Sequence, residues 1–284
     1  MWLLHFLPLR FLARAGEWIG VLAYYIAYSR RRVCMINLAK CFPHLTDDER
    51  RVLTKAHCRL FGRFVLDHGL LWWAPTTRFL RHVTLEGREF LHGAPGECII
   101  MLAPHFLGLD MGGARLAVER PLASMYQKQK NKVIDSQILA GRMRFLRMFP
   151  ASKLFSRQDG VFAVARTIKQ GVAFYYLPDL DFGSRDAIFV PFFGIPTATI
   201  TGVSRLAKLT GAKVVPCITS MLPGGGGYRV KLLPPWENFP TADIEADTRR
   251  VNSFIEEQIR DMPEQYYWLH KRFKTRPPGE VSFY

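Results

Sequence analysis

Glu97-Cys98-Ile99-Ile100-Met101-Leu102-Ala103-Pro104-His105 decides the fold. The apolar run is short, begins after Gly96 and ends on proline, which reads as a buried strand. The segment from about Gly108 to Val118 has helical character, so the unit is strand, loop, helix. The rhythm repeats downstream: Val161 to Lys169 predicts a helix stopped by Gly171, and Val172 to Leu177 a buried strand ended by Pro178. Thr201 to Leu209 predicts another helix ended by Gly211, and Lys213 to Ser220 another buried strand. Strands alternating with helices imply an α/β fold with a mixed, largely parallel central sheet flanked by helices. In such sheets reactive groups collect beyond the carboxyl ends of the strands, and His105 follows one strand end while Asp179 and Asp181 follow another.

Upstream, Thr46 and Glu49 form a capping box for a helix that runs to Trp73, with Leu53, Ala56, Leu60, Phe64 and Leu66 as its apolar stripe. From Trp2 to Tyr28 the chain is mostly apolar, interrupted by Arg10, Arg14 and Glu17 and closed by Ser29-Arg30-Arg31-Arg32. The unbroken run Trp18 to Tyr28 is too short to span a bilayer. The three charges fall on one helical face and leave the opposite face apolar, so residues 1–32 are expected to form a membrane-associated helix, and residues 33–284 the catalytic domain. A signal peptide cleaved near Ala27-Tyr28-Ser29, disfavoured by the arginines directly after it, and a buried first helix are the rival readings. Pro223 with Gly224 to Gly227 predicts a turn before the strand Tyr228 to Leu233.

The formal net charge of +15 points to anionic partners without naming them. No nucleic-acid motif is present. Five cysteines, odd in number and without a Cys-x-x-Cys pair, read as reduced thiols, and no Cys/His spacing suggests a metal.

The chemistry is expected at Pro104-His105-Phe106-Leu107-Gly108-Leu109-Asp110. Acyl transfer to a hydroxyl needs a base, and an imidazole serves when an acceptor holds its other nitrogen. Asp110 is expected to accept from Nδ1 of His105 and leave Nε2 free, the base half of a serine-hydrolase triad with the substrate alcohol replacing serine. Arg142 is a candidate for binding phosphate or a thioester oxyanion. Asp179 and Asp181 are candidates for sugar hydroxyls, for orienting Arg142 or for holding a cation. Lys130, alternating with Lys128 and Lys132, is a candidate landing point for an acidic partner. Phe189 to Phe193 reads as packing or an acyl tunnel, and Tyr266-Tyr267-Trp268 with its basic flank as an interfacial band or core.

Several blocks together resemble the late acyltransferases of lipid A biosynthesis, the lauroyl/myristoyl transferase family. They are Asn37-Leu38 to Cys41-Phe42-Pro43, Glu86-Gly87-Arg88-Glu89, His105 to Asp110, and Tyr126 with Lys130-Asn131. Further blocks are Gly141-Arg142-Met143-Arg144, Pro178-Asp179-Leu180-Asp181-Phe182-Gly183, Phe189-Val190-Pro191-Phe192-Phe193-Gly194, and Pro263 to Pro277. The family is related to glycerolipid acyltransferases through a His-x4-Asp/Glu motif. The resemblance implies a fatty acyl group moved from acyl carrier protein, where phosphopantetheine carries it, to the hydroxyl of a hydroxyacyl chain on a lipid A precursor. It implies no other cofactor, no metal, and a place on the cytoplasmic face of the inner membrane. By position it makes His105 and Asp110 the catalytic dyad, with Arg142 and Asp179 also implicated; several members carry Glu where this chain has Asp110. Acylation of a glycerol phosphate is the alternative, disfavoured because Pro178-Asp179-Leu180-Asp181 stands where that family has Pro-Glu-Gly-Thr. Hydrolysis of thioesters and non-catalytic basic membrane binding are the other readings.

Overall fold

The computed structural model describes residues 1–93, 96–128, 131–156 and 158–284. A short 3-10 turn (Trp2–Phe6) leads into α1 (Leu9–Ile26), α2 (Tyr28–Cys41), α3 (Asp47–Trp73) and α4 (Thr76–His82). Then come β1 (Val83–Glu86), α5 (Glu89–His92), β2 (Ile99–Leu102), α6 (Leu109–Ala117), β3 (Leu122–Met125), α7 (Lys132–Leu146) and β4 (Lys153–Phe155). The remainder is α8 (Gly160–Lys169), β5 (Ala173–Tyr176), β6 (Ala187–Phe192), β7 (Ile195–Ile200), α9 (Gly202–Thr210), β8 (Lys213–Met221), β9 (Tyr228–Leu232) and α10 (Ile244–Asp261).

Seven strands form the central sheet in the order β1-β9-β8-β2-β5-β3-β4. Five run parallel, and the antiparallel β8/β9 pairing reverses β9 together with its parallel neighbour β1. The expected mixed, largely parallel sheet is therefore present, with β2 at its centre. Strand alternation divides the core between the two faces: Ile100 and Leu102 pack on one side, and Ile99, Met101 and Ala103 on the other. All four β2 side chains are buried, each contributing about 1.5–3 kcal/mol of apolar transfer free energy. A separate antiparallel hairpin, β6/β7, packs on α10. It places Val190 and Phe192 in the core, and Phe193 is packed against that same core, so the aromatic stretch around Phe189 to Phe193 is largely packing.

The capping box at Thr46 forms as expected, with Glu49 N–H donating to the threonine hydroxyl and the Glu49 carboxylate accepting from the Thr46 N–H at 2.7 Å. The N-terminal segment is more complicated than a single amphipathic helix. Leu9, Leu12, Ala13, Gly16 and Gly20 of α1 are buried, and α1 lies along α3. Gly20 sits so close to the Cys58 carbonyl that a Cβ there would overlap it. The expected boundary at residue 32 falls inside α2, after a break at Ala27. One face of α1 is thus covered by the protein itself. A second stripe, including Phe11, Trp18, Leu22 and Tyr25, stays exposed. No helix among the described residues is long and apolar enough to cross a membrane.

The band around Tyr266 is core rather than interface. Tyr266, Trp268 and Phe273 are fully buried, and Trp268 Nε1 donates to the Pro263 carbonyl at 2.6 Å. Alternating aromatic and basic residues gave no sign of this, because Arg272 is itself buried, donating to the Ala198 carbonyl and the Thr199 hydroxyl.

Candidate active site

His105 stands three residues beyond Leu102, and Asp179 three beyond Tyr176. Leu102 and Tyr176 are register partners across the parallel β2/β5 pair, so the sheet carries the two residues out side by side, each preceded by a proline. The His105 backbone N–H donates to both Asp179 oxygens at 3.2 and 3.0 Å, and its Nδ1–H donates to Oδ1 at 2.7 Å. The loop is held from the other side by the 265–267 segment. There Tyr267 N–H donates to the His105 carbonyl at 2.9 Å, and Leu107 N–H to the Gln265 carbonyl at 2.9 Å.

Asp179 is fully buried beneath the imidazole. Burial works to raise its pKa, but the His105 charge and the bonds from His105 more than offset this and lower it to about 2. The carboxylate is ionised wherever the protein is folded near neutrality. Tyr266, adjacent to it, keeps its phenol protonated because burial and then the Asp179 charge push its pKa up. Burial likewise depresses His270 to about 4, against the smaller opposing effect of its bond to the Tyr267 carbonyl, so it is neutral there.

Asp110 does not hold His105, contrary to the expectation from spacing. It lies in the first turn of α6, where its Oδ1 accepts from Arg142 Nη2 at 2.8 Å and its Oδ2 lies 3.5 Å from His68 Nε2. The physical reason is direction: His105 leaves the sheet facing the β5 end, where Asp179 takes Nδ1, whereas residue 110 turns with the helix toward α7 and α3. Burial acts to raise the Asp110 pKa, yet Arg142 and His68 together hold it well below the usual carboxylate range. His68 is fixed in turn by the bond between its Nδ1 and the Phe64 carbonyl, 2.8 Å long. Arg142 also lies over the Tyr126 ring, 5.5 Å from the centroid.

His105, His68, Asp110 and Arg142 all line one cavity of about 780 Å³, whose remaining wall is mainly apolar and aromatic, including Phe64, Trp72, Tyr126 and Phe174. Asp179 backs the wall without facing the space. The structure therefore presents two units on one cavity, an imidazole braced by a buried carboxylate and a guanidinium braced by another. A neutral imidazole with Nδ1–H donated has Nε2 free to accept a proton. The guanidinium is placed to receive negative charge, with Asp110 fixing its orientation.

Asp181, two residues beyond Asp179, belongs to neither unit. Its side chain is 1% exposed and accepts from Gly183 N–H, Thr275 N–H at 2.6 Å and the Thr275 hydroxyl at 2.7 Å, tying the C-terminal segment to the β5 loop. It does not reach the cavity, so the sugar-binding role expected for it has no geometry. Lys130 lies outside the described residues. His68 was missed from the sequence because a lone helical histidine carries no local signal. Asp179 is legible as a site residue from its strand end, but chain spacing assigns the partner of His105 to Asp110 when sheet register gives it to Asp179. Among the described residues no three His, Cys, Asp or Glu side chains converge on a metal position.

Residues 1–275 match the sequence profile of the family described as Bacterial lipid A biosynthesis acyltransferase. The chain belongs to that family. It is 32% identical over 287 residues to the lipid A biosynthesis lauroyltransferase of Escherichia coli (strain K12), covering all of this chain and 92% of that one. It is 30% identical over the same length and coverage to the palmitoleoyltransferase of that organism. With the myristoyltransferase from the same source it shares 31% over 278 residues, 96% of this chain and 83% of the other. A solved 1-acyl-sn-glycerophosphate acyltransferase from Thermotoga maritima reaches a TM-score of 0.40 at 14% identity, over 89% of this chain and 97% of that one, too distant to add to these matches. The chain is thus an acyltransferase of lipid A biosynthesis. Three relatives with different acyl groups in their names stand at nearly equal identity, so overall similarity does not select the chain length this acyltransferase transfers.

Proposed function

We propose that this acyltransferase moves a fatty acyl group from acyl carrier protein to the hydroxyl of a hydroxyacyl chain on a lipid A precursor, with His105 as general base. The observation that carries the mechanism is the bond from His105 Nδ1 to the fully buried Asp179, which leaves Nε2 as the proton acceptor at the cavity wall. In the proposed step the acceptor hydroxyl gives its proton to Nε2 while its oxygen attacks the thioester carbonyl. Arg142, held by Asp110, stabilises the negative charge that develops on the carbonyl oxygen. Collapse breaks the carbon–sulfur bond, the imidazolium returns its proton to the departing thiolate of the carrier's phosphopantetheine, and the new ester remains on the acceptor. No cofactor beyond that carrier group is needed.

We infer attachment to the cytoplasmic face of the inner membrane. The exposed stripe of α1 and the exposed Trp2, Leu3 and Phe6 ahead of it form an interfacial apolar surface. The test is a reconstituted reaction with acyl carrier protein and purified precursor, read by mass spectrometry. Product heavier by one acyl group and strictly dependent on the acceptor supports the reading; free fatty acid released equally without acceptor makes the protein a thioesterase and overturns it.

A further inference from the structure

On the other side of the N-terminal turn from the catalytic cavity is a second, wholly different concavity of about 740 Å³. Met1 lines the catalytic cavity, whereas His5, Phe6 and Leu9 line this one. Its charged groups are Arg10 from α1 and Arg78 and Arg81 from α4, with His82 beside them, and among the described residues no carboxylate lines it. Arg10 and Arg81 are exposed and form no ion pair among the described residues. His82 senses the resulting field: after burial, the charges of Arg78 and Arg81 are what lower its pKa.

The cluster is built rather than incidental. The turn at Gly224 to Gly227 is wedged between the two elements that supply the arginines. Gly225, at φ +77°, lies so close to α1 that a Cβ would fall 2.6 Å from the Arg10 Cα. Gly227, at φ +96°, packs directly against the His82 carbonyl at the end of α4. Arg78 Nη2 donates to the Leu7 carbonyl at 2.5 Å and closes the third side. Three arginines are thereby brought to one space whose described lining holds no carboxylate, a local excess of positive charge that attracts an anion.

Phe6 of the lining is more than half exposed, and so are Trp2, whose ring lies 5.2 Å from that of Phe6, and Leu3 and Phe11, close in sequence to the lining residues His5 and Arg10. Apolar and aromatic side chains beside a basic cleft are the pattern of a membrane interface, where rings enter the acyl boundary and the cations meet headgroups. An acidic protein or a nucleic acid would not call for those side chains.

We propose that this cleft binds the phosphate headgroup of an acidic phospholipid and so fixes the orientation of the protein on the bilayer. The site holds its ligand whether or not His105 carries acyl transfer. Wild type and His105→Ala should therefore bind vesicles alike, and failure of one proposal leaves the other standing.

The experiment is partition of the full chain onto phosphatidylcholine vesicles with and without phosphatidylglycerol. Each basic residue at an acidic surface contributes about fivefold to partition, so Arg10→Gln/Arg81→Gln should lose about 25-fold on the phosphatidylglycerol vesicles and little on pure phosphatidylcholine. Arg166→Gln/Lys208→Gln removes the same charge from exposed positions on α8 and α9, across the sheet, and should lose less than about twofold. Arg81→Gln alone, on an exposed side chain without a hydrogen bond among the described residues, should lose about fivefold and serves if the double variant folds poorly. Equal losses in the two doubles would show diffuse charge attraction and overturn the proposal. So would unchanged vesicle binding, including the case where the Arg10/Arg81 variant instead weakens acyl carrier protein binding or raises KM for the acceptor.

Discussion

Replacing Asp179 with Asn separates the structure's account from the one that chain spacing suggests. The carboxylate accepts three contacts from two donors of one residue: the His105 N–H reaches both oxygens, and Nδ1–H reaches Oδ1. An asparagine has one acceptor oxygen and one NH2 group. If its oxygen meets the His105 amide, its NH2 faces Nδ1 and forces the proton onto Nε2, the wrong tautomer for a base. If it turns over, NH2 opposes the amide N–H, and in both cases the negative charge that would stabilise the imidazolium is gone. In a serine-hydrolase triad the equivalent change costs about 10⁴-fold, so a loss of about 10³ to 10⁴-fold in kcat is expected here. KM should move little, because Asp179 is buried behind the cavity wall. The assay is acyl transfer from acyl carrier protein to lipid A precursor at saturating substrates, with circular dichroism to confirm folding. Activity within about tenfold of wild type in a folded Asp179→Asn protein would refute the reasoning, as would a loss confined to KM.

Asp110→Asn and Arg142→Gln should each impair transfer, and the double variant should be about as impaired as the worse single, because the two side chains act as one unit; multiplicative losses in a double-mutant cycle would separate them. Asp181→Ala should lower stability by about 1–3 kcal/mol in denaturant titration by freeing the Thr275 segment, with acceptor KM unchanged. Asp179 has a folded pKa depressed from 3.8 to about 2, so its contribution is complete above about pH 4 and is lost as pH falls through 2. That contribution is on the order of 2 kcal/mol, so the wild type should lose stability more steeply than Asp179→Asn across this window in acid unfolding. Gly141→Ala should push its new methyl into Trp72, which lines the catalytic cavity; a changed preference among acyl donors of different length at preserved fold is the expected readout, and an unaltered preference counts against Trp72 shaping the chain-binding space.

The sheet was legible wherever burial is two-sided. The runs around Ile99, Val172 and Lys213 are central strands, and central strands need a continuous apolar stretch. The strands at Val83–Glu86 and Lys153–Phe155 were not legible, because they are short edge strands with half-exposed residues. Position His105 could be read from its strand end, and Arg142 from its block, but the pairing of His105 could not. That pairing follows from β2/β5 register, a relation between residues 74 apart in the chain. Asp110 misled because five residues look near in sequence, while the first turn of α6 turns its side chain toward Arg142. The N-terminal segment misled in a different way: its periodicity gives an apolar face without saying whether lipid or α3 covers it. Its glycines, which let α1 approach α3 closely, were the unused signal.

The central claim, that His105 is the base for transfer to a lipid hydroxyl, is tested most directly by single-turnover transfer in folded His105→Ala protein. With preloaded acyl carrier protein and excess lipid A precursor, the account predicts a rate lower by at least about 10³-fold, with Asp179→Asn falling alongside it. A rate within a few-fold of wild type would contradict the claim and place the base elsewhere in the cavity.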